Sequence, residues 1–108
     1  MPDETPPGLT LVVLLTIDPD RRDDFLRFET SAATIMRRYG GRIERRVTFP
    51  SGREPPLPDE LHVVTFPDRE SFDRYRRDSD LEALAALRAR AIRETVVWEG
   101  VDLPPFGS

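Results

Sequence analysis

The sequence predicts an α+β domain of order β-α-β-β-α-β, an antiparallel four-stranded sheet with its second helix broken. Three observations carry the prediction. Four apolar or alternating runs are bounded by turn residues, as strands are. Segments with helical spacing of apolar residues separate the first run from the second and the third from the fourth. The chain has 108 residues, which fits one domain with one core.

Residues 1–8 carry Pro2, Pro6, Pro7 and Gly8 and are expected to form a flexible N-terminal arm. Leu9 to Ile17 is an aliphatic and β-branched run, hence a buried strand. Asp18 is a helix cap, and Pro19 suits a first helical position. Asp20, Asp23 and Asp24 place negative charge at that helix start, where the macrodipole favours it. Phe25, Phe28, Ala32, Ile35, Met36 and Tyr39 then recur at steps of three and four along one helix face. Arg37 and Arg38 occupy the last turn, and Gly40-Gly41 stops the helix.

Arg42 to Phe49 alternates as a second strand. Ile43, Arg45, Val47 and Phe49 are expected on one face. Arg42, Glu44, Arg46 and Thr48 are expected on the other. Pro50 to Pro58 is a Pro-rich loop, and Glu60 to Phe66 is a third strand ended by Pro67. Asp68 caps a short helix carrying Phe72 and Tyr75. Asp78-Ser79-Asp80 breaks it and starts another, whose buried stripe is Leu81, Leu84, Leu87, Ala91 and Ile92. Val96 to Val101 is the fourth strand. A single ferredoxin-like domain is thus expected over residues 9–103, with a C-terminal tail over 104–108.

Helices on one side leave one sheet face uncovered. On the first strand that face carries Thr10, Val12, Leu14 and Thr16, too apolar for open water. A second copy of the chain would bury it, so the expectation is a homodimer paired through its sheets.

Composition excludes several chemistries. Lys, Cys, Asn and Gln are absent, and all 16 basic residues are Arg. No Schiff-base lysine, cysteine nucleophile, disulfide or thiolate metal site can be built. One His excludes a His-rich metal cluster, so no metal site is expected. The net charge of −4 argues against nucleic acid as a partner. The longest apolar run, Leu11 to Leu15, has five residues, far short of the ~20 that span a membrane. An acidic N-terminus is unlike a signal peptide, and the expected location is the cytoplasm.

The element order and uncovered sheet face resemble the dimeric α/β-barrel superfamily. Within it, three stretches resemble a family of small bacterial proteins, domain of unknown function DUF1330. They are Tyr39-Gly40-Gly41-Arg42, Phe66-Pro67-Asp68-Arg69-Glu70-Ser71-Phe72 and Val97-Trp98-Glu99-Gly100-Val101. Asp78-Ser79-Asp80-Leu81 stands where that family often has Ser-Pro-Glu-Tyr, without its Pro and Tyr. The likeness covers about residues 9–103; the Pro50–Pro58 loop departs from it. It implies a dimer, and often a small-molecule pocket between sheet and helices. The wider superfamily includes cofactor-free monooxygenases of antibiotic biosynthesis, cyclases, isomerases and haem-degrading members. Fold does not choose among them.

His62 sits mid-strand and alternates with Val64 and Phe66. It suits a general base, an axial haem ligand, or a packed histidine held by one hydrogen bond. Glu99 alternates with Val97 and Val101; on an inner face its carboxylate needs a partner or a proton. Arg46 and Glu44, on the polar face of the second strand, suit an enolate or carboxylate ligand, or an inter-subunit salt bridge. Tyr39 and Tyr75 end helices and suit either phenolic donation to a ligand or packing. Trp98 shares a face with Val96 and Gly100 and suits stacking on an aromatic ligand or filling the core.

The expected catalytic set is His62, Arg46 and Glu99. The expected substrate-binding set is Glu44, Tyr39, Tyr75 and Trp98. The expected function is binding or transforming a small hydrophobic or aromatic metabolite without a cofactor, as an oxygenase, cyclase or isomerase does. The alternatives are a non-catalytic ligand-binding or assembly dimer, and a haem protein.

Overall fold

The computed structural model describes residues 8–107. Of the expected N-terminal arm, all but Gly8 lies outside them. The elements are β1 (Leu9–Ile17), a 3-10 turn (Pro19–Arg21), α1 (Arg22–Arg37), β2 (Arg42–Thr48), β3 (Glu60–Phe66), α2 (Arg69–Arg76), α3 (Ser79–Glu82), α4 (Ala85–Ala91) and β4 (Ile92–Gly100). The four strands form one antiparallel sheet in the order β2-β3-β1-β4. This is the ferredoxin-like arrangement: each helical connection links strands that flank a third.

The inner face is set by alternation. Leu11 and Leu15 of β1 and Val64 and Phe66 of β3 are buried on it. Phe25, Phe28, Ala32, Ile35 and Met36 turn one face of α1 into the core. Two clusters result: one around Leu15, Ile17, Phe25 and Ile92, the other around Leu11, Met36, Phe66 and Phe72. Gly40 closes the α1 exit with φ +74°, a left-handed conformation that favours glycine. Gly41 is needed for a different reason: a Cβ there would run into the Phe66 ring and the Met36 side chain.

Four details depart from the alternation and spacing of the sequence. Asp18 does cap, accepting from the Asp20 backbone N–H, but it opens the 3-10 turn, and α1 begins only at Arg22. Tyr39 lies past the end of α1 rather than in its last turn. The last helical stretch is two helices, interrupted at Ala83–Leu84, and it ends at Ala91. Ile92 is the first residue of β4, paired with Ile17, so β4 starts four residues before the expected Val96. Thr95, Val96 and Val97 are β-branched, and the long β1 offers them partners; pairing outweighs continued helix.

One further departure matters most. A bulge between Ile43 and Arg45 gives β2 one extra residue, Glu44. Simple alternation would put Arg46 opposite in face to Ile43. The bulge resets the phase. Ile43 pairs with Val64, and Arg46 pairs with His62, so both sit on the helix-covered side. Arg45 and Val47 pair with Val63 and Leu61 on the other side.

That other side is a continuous apolar surface. Leu14 pairs with Leu61 on one edge and Val96 on the other; Val12 pairs with Val63 and Trp98 in the same way. Trp98 is 60% exposed.

Candidate functional site

The site starts at the first residue of β3. Glu60 points inward and is only 2% exposed. A carboxylate there loses its hydration and must be bonded. Three neighbours supply bonds. Arg22, first residue of α1, donates to Oε2 at 2.7 Å. Arg46 donates to Oε1 through Nε at 3.2 Å and through its terminal amine at 2.9 Å. His62 Nε2 lies 2.9 Å from the same Oε1. Burial alone would raise the Glu60 pKa; the bonds from His62, Arg46 and Arg22 outweigh it and hold the carboxyl below its ordinary value.

An ionised carboxylate only accepts. The proton of this pair therefore belongs on His62 Nε2, which leaves Nδ1 as the basic nitrogen. Nδ1 faces Glu29 of α1, with Oε2 at 3.9 Å. Glu29 is pushed above the ordinary carboxylate pKa, first by burial and then by the nearby Glu60; His62, Arg46 and Arg88 pull the other way. Phe25 flanks the imidazole, their ring centroids 6.5 Å apart, and Arg22 lies over the far reach of that aromatic ring.

His62 and Glu29 lie on the wall of a cavity of about 400 Å³ between the inner sheet face and the helices. That volume suits a small organic ligand. Most of its lining is aliphatic or aromatic, drawn from all four strands and from α1, α2, α3 and α4. The polar exceptions are Glu29, His62, Tyr75, Arg76, Arg88 and Thr95. Arg88 donates to Thr95 Oγ1 at 2.7 Å, which ties α4 to β4 across the cavity rim. The Tyr75 phenol is pushed up to about 12, first by burial and then by the charge of Glu29, so it remains a donor at neutral pH.

The structure brings two of the seven expected site residues, His62 and Tyr75, onto the cavity wall. Arg46 reaches the site from behind, through Glu60, and does not line the cavity. Glu44 is on the opposite sheet face, where it accepts from Thr65 Oγ1 and pairs with Arg42. The bulge separates it from Arg46. Glu99 is on the inner face, opposite Leu11, but near the strand end; it is partly exposed and paired with Arg69 rather than buried. Tyr39 donates to Asp78 Oδ2 at 2.5 Å, in a cluster with Arg38 that links the α1 exit to the start of α3. Trp98 fills no core; it stands on the uncovered face.

Glu29, Glu60 and Arg88 were missed. Each left a trace in the sequence. Glu29 falls four residues after Phe25 and three before Ala32, inside the apolar stripe of its helix. Glu60 alternates with His62 and Val64, and Arg88 follows Leu84 by four.

No group of three or more metal-ligating side chains occurs among the described residues. A haem iron at His62 Nδ1 would meet the Glu29 carboxyl, whose Oε2 lies 3.9 Å from that nitrogen, while Nε2 is held by Glu60. No helix among the described residues is long and apolar enough to cross a membrane.

Sheet order, bulged edge strand and lined cavity define a ferredoxin-like α+β protein with one sheet face covered by helices. The chain belongs to the family described as domain of unknown function DUF1330, whose model matches residues 11–101. No match was found among curated proteins. Solved structures show the same fold. A protein of unknown function from Rhodopseudomonas palustris is 15% identical with a TM-score of 0.79, over 92% of this chain and 85% of that one. SnoaB, a cofactor-independent oxygenase from Streptomyces nogalater, is 12% identical with a TM-score of 0.69, over 95% of this chain and 100% of that one. A dabb family protein with a ferredoxin-like fold from Mesorhizobium loti is 17% identical with a TM-score of 0.65, over 92% and 100%. At these identities the likeness is one of fold alone.

Proposed function

We propose that this protein binds a small, largely apolar or aromatic metabolite in the cavity and transforms it without a cofactor, by proton abstraction at His62. The observation that carries this is the orientation of the imidazole. Glu60 holds Nε2–H, which leaves Nδ1 as the basic nitrogen, and His62 lines a cavity with mostly apolar walls. Glu60 stabilises the imidazolium that forms when Nδ1 takes a proton. Tyr75, protonated and on the same wall, is the donor for an oxyanion. Proton abstraction of this kind opens isomerase, cyclase and oxygenase chemistry. The fold shared with SnoaB is consistent with the last and does not select it.

The test is a panel of small aromatic metabolites screened by thermal shift against the wild type and Ala85→Trp. Ala85 is exposed on α4 and lines the cavity, so a Trp there fills the space without entering the core. Ligands that stabilise the wild type and not the variant support the proposal. No stabilising ligand, or equal stabilisation of both proteins, overturns it. A ligand that is bound but never turned over makes the protein a non-catalytic binding module.

We also propose that two copies pair through the uncovered sheet face. The rows Val47-Leu61-Leu14-Val96 and Arg45-Val63-Val12-Trp98 cross the full width of the sheet and give a second copy an apolar surface to cover.

A further inference from the structure

We propose that the gap between His62 Nδ1 and Glu29 Oε2 is a seat for one oxygen atom of the ligand, and that the cavity takes a molecule carrying an ionisable hydroxyl, a phenol or an enol. The inference rests on the cavity and on His62 as its base, and adds a second acid–base residue and a ligand group.

The distance is the starting point. At 3.9 Å the two atoms are too far apart to bond to each other. Both residues line the cavity. An oxygen set to one side of the line joining them, with about 90° subtended at the oxygen, sits about 2.8 Å from each, an ordinary hydrogen-bond length. A polar contact of this span is closed by an intervening atom.

The hydrogen-bonding character of the two walls selects the oxygen. Nδ1 is an acceptor, because Glu60 holds the proton on Nε2. Glu29 is biased towards its protonated form by burial and by Glu60, against His62, Arg46 and Arg88. A protonated carboxyl donates. With the proton on Glu29 the seat offers one acceptor and one donor. A hydroxyl satisfies both; an ether or a ketone leaves Nδ1 without a donor.

The chemistry follows. The ligand O–H bond breaks, and its proton moves to Nδ1. The electron pair stays on the ligand oxygen. The resulting phenolate or enolate accepts from the Glu29 carboxyl, while Glu60 balances the imidazolium. No oxidant or other co-reactant enters this step. The apolar walls supply the rest of the binding, and they favour a ring over a polyol.

The test uses two probes of nearly equal shape, 4-nitrophenol and 4-nitroanisole, titrated by calorimetry and absorbance. The wild type is expected to bind the phenol about tenfold more tightly than the anisole, the worth of one well-placed bond. The bound phenol is expected to show phenolate absorbance below the pH at which the free phenol ionises. Glu29→Leu, which takes the donor away from both probes, is expected to weaken the binding of both. His62→Gln is expected to abolish the phenolate absorbance. Equal affinity for both probes in the wild type overturns the oxygen seat while leaving the cavity as a binding site. Unchanged affinity of Glu29→Leu for both probes overturns the assignment of Glu29. Failure of both probes to bind overturns the seat and the binding function together. The wild-type comparison stands even if a variant does not fold.

Discussion

His62 Nε2 lies 2.9 Å from Glu60 Oε1, and both side chains are 2% exposed. The pair is shut away from solvent, while the arginines that complete it are about half exposed. This arrangement leaves the carboxylate dependent on its partners, whereas Arg22 and Arg46 retain access to water. Glu60→Gln keeps the shape and removes the charge. It is expected to cost about 1–3 kcal/mol in urea unfolding, the range for a buried bond to a charged group. Glu60→Leu is expected to cost more, since it also leaves His62 Nε2 unpaired. Unchanged stability in both variants would contradict the role given to this pair.

The two carboxyls beside His62 respond to pH in opposite directions. Glu60 has a depressed folded pKa, so its contribution is present above the unfolded carboxylate pKa and is lost as pH falls through the folded value. Glu29 has a raised folded pKa, so its contribution is present below the unfolded value and fades as pH rises through the folded one. Urea midpoints measured across the acid range should separate them. Glu29→Gln is expected to gain on the wild type as pH rises above the ordinary carboxylate range. Glu60→Gln is expected to lose its deficit as pH falls towards strong acid. Parallel curves for the three proteins would refute both assignments.

Trp98 reports on assembly. It stands 60% exposed opposite Val12, on the edge strand β4 of the uncovered sheet face. Trp98→Glu is expected to yield a monomer at micromolar concentration by light scattering, where the wild type gives the mass of a dimer. A monomeric wild type ends the pairing proposal.

Gly41 tests the packing at the α1 exit. Its Cα approaches Phe66 and Met36 too closely for any side chain. Gly41→Ala is expected to cost about 1–3 kcal/mol, the ordinary penalty for overpacking a core. Gly52 is the comparison. A Cβ there meets nothing nearby, so its cost is limited to the positive φ of +78°.

The local pattern of the sequence determined a good deal. β1 and β3 have the bounds that the runs Leu9–Ile17 and Glu60–Phe66 predict. Caps at Asp18 and Asp68, the new helix start at Asp78-Ser79-Asp80 and the stripe on α1 follow from spacing alone. These features depend on neighbours within a few residues, and the chain states those neighbours directly. His62 was singled out because it alternates with Val64 and Phe66, and that parity holds in the sheet.

What tertiary structure alone decided is which charges meet. Alternation along β2 put Glu44 with Arg46; the bulge, a property of the pairing with β3, parted them and sent Arg46 to Glu60. Glu29, Glu60 and His62 come from α1 and β3, more than thirty residues apart in sequence at their widest. Nothing local to Glu29 says that an imidazole lies beyond its carboxyl. A charged residue in an apolar stripe is only an anomaly until packing supplies its partner. Sheet register and helix placement set that distance, and they are properties of the folded chain as a whole.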